Sequence, residues 1–160
     1  MHPANPQSNL WTHTAAPAPE CPALQGERTV DVVVVGAGFT GISAALHLAE
    51  GGADVVLVEA EQPGFGASGR NNGQVIPAYS KHNPNDAVAE LGPERGERLN
   101  EMVGGSADLV FDLIRKHAID CDALQEGWLQ PAHRASRMKG VQIKHDQWAA
   151  RGAPVEVYDA

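Results

Sequence analysis

The sequence is poor in the features that mark several large protein classes. It has only two cysteines, Cys21 and Cys121, and they form no CxxC pair. That excludes a redox-active dithiol of the kind disulfide reductases use. So few cysteines fit a reducing cytoplasm, the expected location. No apolar run reaches the roughly eighteen residues that a membrane-spanning helix needs. The N-terminus shows no charged region followed by an apolar one, so no secretory leader is expected. The seven histidines show no ligand spacing such as HxxxH, and no metal site is expected. Basic residues are the minority, 12 Lys and Arg against 20 Asp and Glu, for a formal charge of −8. Nucleic acid and anionic membranes, both polyanions, are therefore not the expected partners. No internal repeat is seen.

What is present is a chain of 160 residues, 42% hydrophobic, which is enough for one globular domain with a core. Its organising stretch is 30–74. Val30 to Val35 is apolar and β-branched except at Asp31, and reads as a strand buried on both faces. The glycine turn Gly36-Ala37-Gly38-Phe39-Thr40-Gly41 follows at once. Ile42, Ala45, Leu46 and Ala49 then recur at helical spacing, and Gly51-Gly52 closes the helix. A second β-branched run, Val55 to Val58, ends on Glu59.

Strand, glycine turn, helix, strand and acid in this order describe a dinucleotide-binding βαβ unit, and so a Rossmann-like α/β fold. Gly36 lets the chain turn out of the strand, Gly38 leaves room for a pyrophosphate, and Gly41 lets the helix lie close on the sheet. The helix N-terminus offers N–H groups and a favourable dipole to phosphates. Glu59 is placed to accept both hydroxyls of an adenosine ribose. A carboxylate there disfavours NADP, whose 2′-phosphate would meet a like charge.

Residues 64–74, GFGASGRNNGQ, combine turning glycines with hydrogen-bonding side chains at Ser68, Arg70, Asn71 and Gln74. This segment, at this distance from Glu59, resembles the second cofactor loop of the D-amino-acid-oxidase-like family of FAD-dependent oxidoreductases. Asn72 departs from the family's pattern, where a glycine or small residue is commoner. The resemblance covers the chain from about residue 10 and is specific over 31–74. It implies that FAD is the cofactor, touched by Gly36, Gly38, Phe39, Thr40, Gly41, Glu59, Ala60, Ser68, Gly69, Arg70, Asn71, Gly73 and Gln74. It implies oxidation of a carbon–nitrogen bond in a small amine or amino acid, with hydride passing to the flavin. No catalytic residue is assigned, and the oligomeric state is left open.

The rest of the chain is read more coarsely. Residues 1–29 form a flexible Pro/Ala-rich arm, with Pro17, Pro19 and Pro22, whose Trp11 is expected to dock on the domain surface or simply to lie exposed. Residues 30–160 form the FAD-binding domain. Asn85 or Asp86 caps a short helix near 87–91. Residues 93–117 read as one long helix interrupted at Gly104-Gly105, where another helix or the cofactor comes close or the helix simply kinks. Gly127-Trp128-Leu129-Gln130 and Val155 to Tyr158 read as strands, 134–151 as a helix, and 127–160 as the start of a substrate domain. The family's members are more than twice this length, so the chain reads as their N-terminal portion. Two other readings stay open. One is an NAD-linked Rossmann enzyme, which 64–74 opposes. The other is a cofactor-binding module or inactive fragment without its own catalysis.

Overall fold

A computed structural model describes residues 9–158; the first eight residues of the expected arm, His2 among them, lie outside the described residues. The chain divides into two compact units that meet in sequence at Gln74 and Val75. No helix of the described residues is long and apolar enough to cross a membrane.

The first unit is the βαβ element. Strands β1 (Val32–Val35) and β2 (Val55–Val58) pair in parallel, with Val32 opposite Val55 and Val35 opposite Val58. The ladder runs on past β1, since the Gly36 N–H donates to the Val58 carbonyl at 2.8 Å. Between the strands runs helix α2 (Phe39–Glu50), which packs against both. It ends at Gly51, and Gly52 follows with φ +88°. In the arm, helix α1 (Leu10–Thr14) starts at Asn9 with a reciprocal capping box to Thr12.

Two expectations change here. The first strand begins at Val32 rather than Val30, and it is not buried on both faces. Val33 and Val35 are 56% and 83% exposed, while Val32 and Val34 are half-buried. The strand alternates, with one face toward α2 and the other uncovered among the described residues.

The second unit is helical. It contains α3 (Pro84–Leu91), α4 (Pro93–Gly104), α5 (Ser106–Lys116) and α6 (Met138–Ala149). Asn83 caps α3, rather than Asn85 or Asp86, and the Asp86 carboxylate accepts the Asn83 N–H at 2.7 Å. The expected long helix over 93–117 is two helices joined at Gly105, with the break at the glycine pair. The partner there is helix α6: a Cβ on Gly104 would lie 3.3 Å from Cζ3 of Trp148. Trp148 also stacks on Tyr79, with centroids 6.0 Å apart. Its Nε1–H is buried with no acceptor among the described residues, a cost of about 1–3 kcal/mol.

A polar clamp ties α3, α4 and α6 together. Arg151 donates from Nε to Glu97 Oε2 at 2.8 Å and from its Nη2 to Glu97 Oε1 at 2.7 Å and Asn85 Oδ1 at 2.9 Å. Buried Asn100 donates to Glu97 Oε2 at 3.0 Å and to the Pro84 carbonyl at 3.2 Å. It accepts the Tyr79 hydroxyl at 2.8 Å. Two-pronged guanidinium–carboxylate pairing of this kind fixes geometry as well as charge.

The strands expected at 127–130 and 155–158 are absent; both segments are irregular. Gly127 does make a bend, at φ +96°. A strand needs a neighbour to accept its backbone hydrogen bonds, and neither segment pairs with one. The expected helix over 134–151 is α6, preceded by one tighter turn at Ala135–Arg137.

Candidate functional site

The site in the first unit is built from three pieces of chain. The turn after β1 is the first. Gly36 has φ +99°, a conformation that glycine takes without penalty. A Cβ on Gly41 would overlap the Gly36 carbonyl oxygen and lie 3.5 Å from Val34 Cγ1. Gly41 therefore sets how closely α2 approaches the sheet. Gly38 is the N-cap, with no side chain to satisfy the helix.

The tip of β2 is the second piece. Glu59 Oε2 accepts the Ala37 N–H at 2.7 Å, and Oε1 accepts the Glu61 N–H at 3.2 Å. The Ala37 N–H, then those of Glu61 and Ala60, hold the Glu59 carboxyl below its usual range, against a smaller opposing effect of desolvation. The Ala37 and Glu61 bonds fall on different carboxylate oxygens, which leaves the carboxylate with acceptor capacity.

The loop 64–74 is the third, and it is docked on the first. The Gly64 N–H donates to the Ala37 carbonyl at 2.9 Å. Ser68 Oγ accepts the Phe39 N–H at 3.0 Å, at the first residue of α2. A Cβ on Gly38 would sit 3.0 Å from that same oxygen, and one on Gly69 would overlap the Gly64 carbonyl. The Thr40 and Gly41 N–H groups point from the helix start with no acceptor among the described residues.

Of the residues expected to touch the cofactor, Gly36, Gly38, Phe39, Gly41, Glu59 and Ser68 are brought together around the start of α2. Thr40 is exposed on its first turn, and Ala60 is exposed just after Glu59. Arg70 turns back on its own loop: its Nε–H donates to the Gly66 carbonyl at 3.1 Å, and its guanidinium lies 5.8 Å from the Phe65 ring centre. The Asn71 amide closes the loop, donating to the Ser68 carbonyl at 2.6 Å and accepting the Gly73 N–H at 2.7 Å. Gln74 Oε1 accepts from Asn72 at 3.1 Å. The side-chain hydrogen bonds given by Arg70, Asn71 and Gln74 thus stay within the loop and shape it.

Ala37 was not singled out from the sequence. Fully buried, it gives its N–H to Glu59 and its carbonyl to Gly64. Its place between Gly36 and Gly38 was the only signal. In the second unit, a depression of about 410 Å³ is lined by Ile76, Ala78, Tyr79, Ser80, Trp128, Gln130 and Lys144, none of them an expected cofactor residue.

The FAD dependent oxidoreductase family matches residues 31–160. Gamma-glutamylputrescine oxidoreductase of Escherichia coli (strain K12) is 38% identical over 139 residues, 86% of this chain and 32% of that protein. Probable oxidoreductase OrdL of Rhizobium meliloti (strain 1021) is 35% identical over 134 residues, 84% of this chain and 31% of that one. The chain spans about a third of the length of these relatives. No solved structure matches it. With the family matched across residues 31–160, the chain belongs to the FAD dependent oxidoreductase family.

Proposed function

We propose that this chain binds the ADP half of FAD for an enzyme that oxidises a carbon–nitrogen bond in a small amine or amino acid. The observation that carries this is the convergence of Glu59, Ser68 and the start of α2 on the Gly36–Gly41 turn. Glu59 receives the adenosine ribose through the acceptor capacity that its backbone partners leave free. The Thr40 and Gly41 N–H groups receive the pyrophosphate, helped by the α2 dipole. Ser68 shares that place and can turn its hydroxyl from the Phe39 N–H toward a phosphate oxygen. Gly38 keeps the approach open. Bound FAD supplies a two-electron acceptor for the hydride released when the carbon–nitrogen bond becomes an imine. The name of the E. coli relative, gamma-glutamylputrescine oxidoreductase, makes gamma-glutamylputrescine the first substrate to try. The cytoplasm is the proposed location.

A second reading is a cofactor-binding module with no oxidation of its own. One experiment separates the readings. The chain is loaded with FAD, gel-filtered and scanned for the flavin absorption band, then assayed for peroxide with gamma-glutamylputrescine, putrescine and simple amino acids. A retained band with peroxide supports the enzyme. A retained band without peroxide supports the module. A protein that retains no flavin contradicts both.

A further inference from the structure

We propose that Trp11 is a positioning residue for the second cofactor loop, strapping Asn71 to Gly73 into the shape that meets FAD. The proposal rests on the FAD reading above.

The indole reaches across sixty residues of sequence. Its Nε1–H donates to the Asn71 carbonyl at 2.7 Å. Its ring lies on the backbone of Gly73, where a Cβ would come within 2.8 Å of Cη2 and 3.0 Å of Cζ2. Trp11 is 38% exposed, so more than half of its surface is covered. The short helix that carries it is fixed at its start by the Asn9–Thr12 capping box.

From the indole a chain of hydrogen bonds leads to the cofactor turn. The Asn71 backbone carbonyl accepts the indole N–H. The Asn71 amide then donates to the Ser68 carbonyl at 2.6 Å and accepts the Gly73 N–H at 2.7 Å. Ser68 Oγ in turn accepts the Phe39 N–H at the start of α2. Trp11 thus acts through Asn71 on Ser68 and touches no expected cofactor position except the loop backbone.

The loop needs such a strap. Residues 64–74 hold four glycines, Gly64, Gly66, Gly69 and Gly73, and glycine loses more conformational freedom on ordering than any other residue. Gly73 itself has φ +71° and no side chain, which is what admits the indole. The proline-rich stretch after α1 tethers the strap, keeping its effective concentration high.

The test compares wild-type protein with Trp11→Ala and Trp11→Phe in two measurements. Amide hydrogen exchange over 71–73 is read without FAD, and FAD affinity is read by titration. Trp11→Ala is expected to speed exchange at these amides and raise the FAD Kd, each by about tenfold, the scale of one lost hydrogen bond with its packing. Trp11→Phe keeps the ring but loses the N–H, and is expected to fall between. Gly73→Ala should weaken FAD binding less in the Trp11→Ala background than in wild type, because the ring it would displace is gone. The melting temperature should hold, since α1 has no buried residue. Unchanged exchange and unchanged FAD Kd in Trp11→Ala overturn the strap while the FAD reading stands. Tighter FAD binding in Trp11→Ala also overturns it, placing the indole where the cofactor goes. Wild-type protein that binds no FAD overturns the cofactor reading itself, and reduces Trp11 to a fold contact whatever the exchange shows.

Discussion

The Glu59 carboxylate accepts the Ala37 N–H at 2.7 Å, tying the tip of β2 to the middle of the glycine turn. The acid that would hold the ribose is thereby oriented before any cofactor arrives, and its partner Ala37 is fully buried. Preorganisation of this kind lowers the cost of ordering on binding.

Removing this charge should be felt in cofactor affinity. Glu59→Gln is expected to weaken FAD binding about tenfold or more, because a hydrogen bond to a charged group outweighs one to a neutral group. Calorimetry on a variant shown to be folded checks this. An unchanged affinity rejects the ribose role.

The two inner glycines should fail differently. Gly41→Ala drives a methyl group into the Gly36 carbonyl, so the β1–α2 unit should lose its fold, seen as a low melting temperature or insoluble protein. Gly38→Val meets only the Ser68 side chain at its Cβ, and should give folded protein that holds no flavin. A Gly41→Ala variant that melts like wild type contradicts the close approach. A Gly38→Val variant with full flavin occupancy contradicts the phosphate path.

The unit from Val32 to Glu59 was legible because every signal in it is local: β-branched runs, a glycine turn, helical spacing and an acid at the right distance. The glycine pair at 104–105 left a close approach and a kink both open, and the structure has both: the helix breaks at Gly105 and Trp148 lies against Gly104. What was not legible depends on partners distant in sequence. Gly127-Trp128-Leu129-Gln130 has strand-like residues, yet a strand is defined by the neighbour that pairs with it. The same holds for Val33 and Val35: a β-branched run looks identical whether one face or both are covered. The Arg151–Glu97–Asn100 clamp joins residues up to 54 apart, and its members look like ordinary surface polar residues in the sequence.

The clamp predicts a pH dependence. Hydrogen bonds from Arg151 and then Asn100 lower the Glu97 carboxyl from 4.5 to about 2. A carboxyl lowered on folding stabilises the fold fully above its unfolded value and loses that effect as pH falls through its folded value. The melting-temperature gap between wild type and Glu97→Gln should thus be full above pH 4.5 and close as pH falls toward 2. Surface screening keeps the gap modest. A gap that does not change across that window contradicts the ion pair's role.

The uncovered face of β1 predicts self-association. Among the described residues the buried apolar side chains are few, Ala37, Pro84, Ala87 and Trp148, while Val33, Val35 and Leu129 are well exposed. An apolar strand face with no cover favours pairing with another chain. Sedimentation velocity should show dimers or larger species whose share falls in Val33→Thr/Val35→Thr. A wild-type chain that stays monomeric at every concentration assayed contradicts this.

The central claim is that the glycine turn, Glu59 and the docked second loop form a site for FAD. Equilibrium titration of the purified chain with FAD, NAD and NADP, run in parallel on Glu59→Gln, tests it most directly. The account predicts saturable FAD binding that ADP competes away, weaker binding of NAD, none of NADP, and a rise of about tenfold in the FAD Kd for Glu59→Gln. No saturable FAD binding, or NAD bound more tightly than FAD, would contradict it.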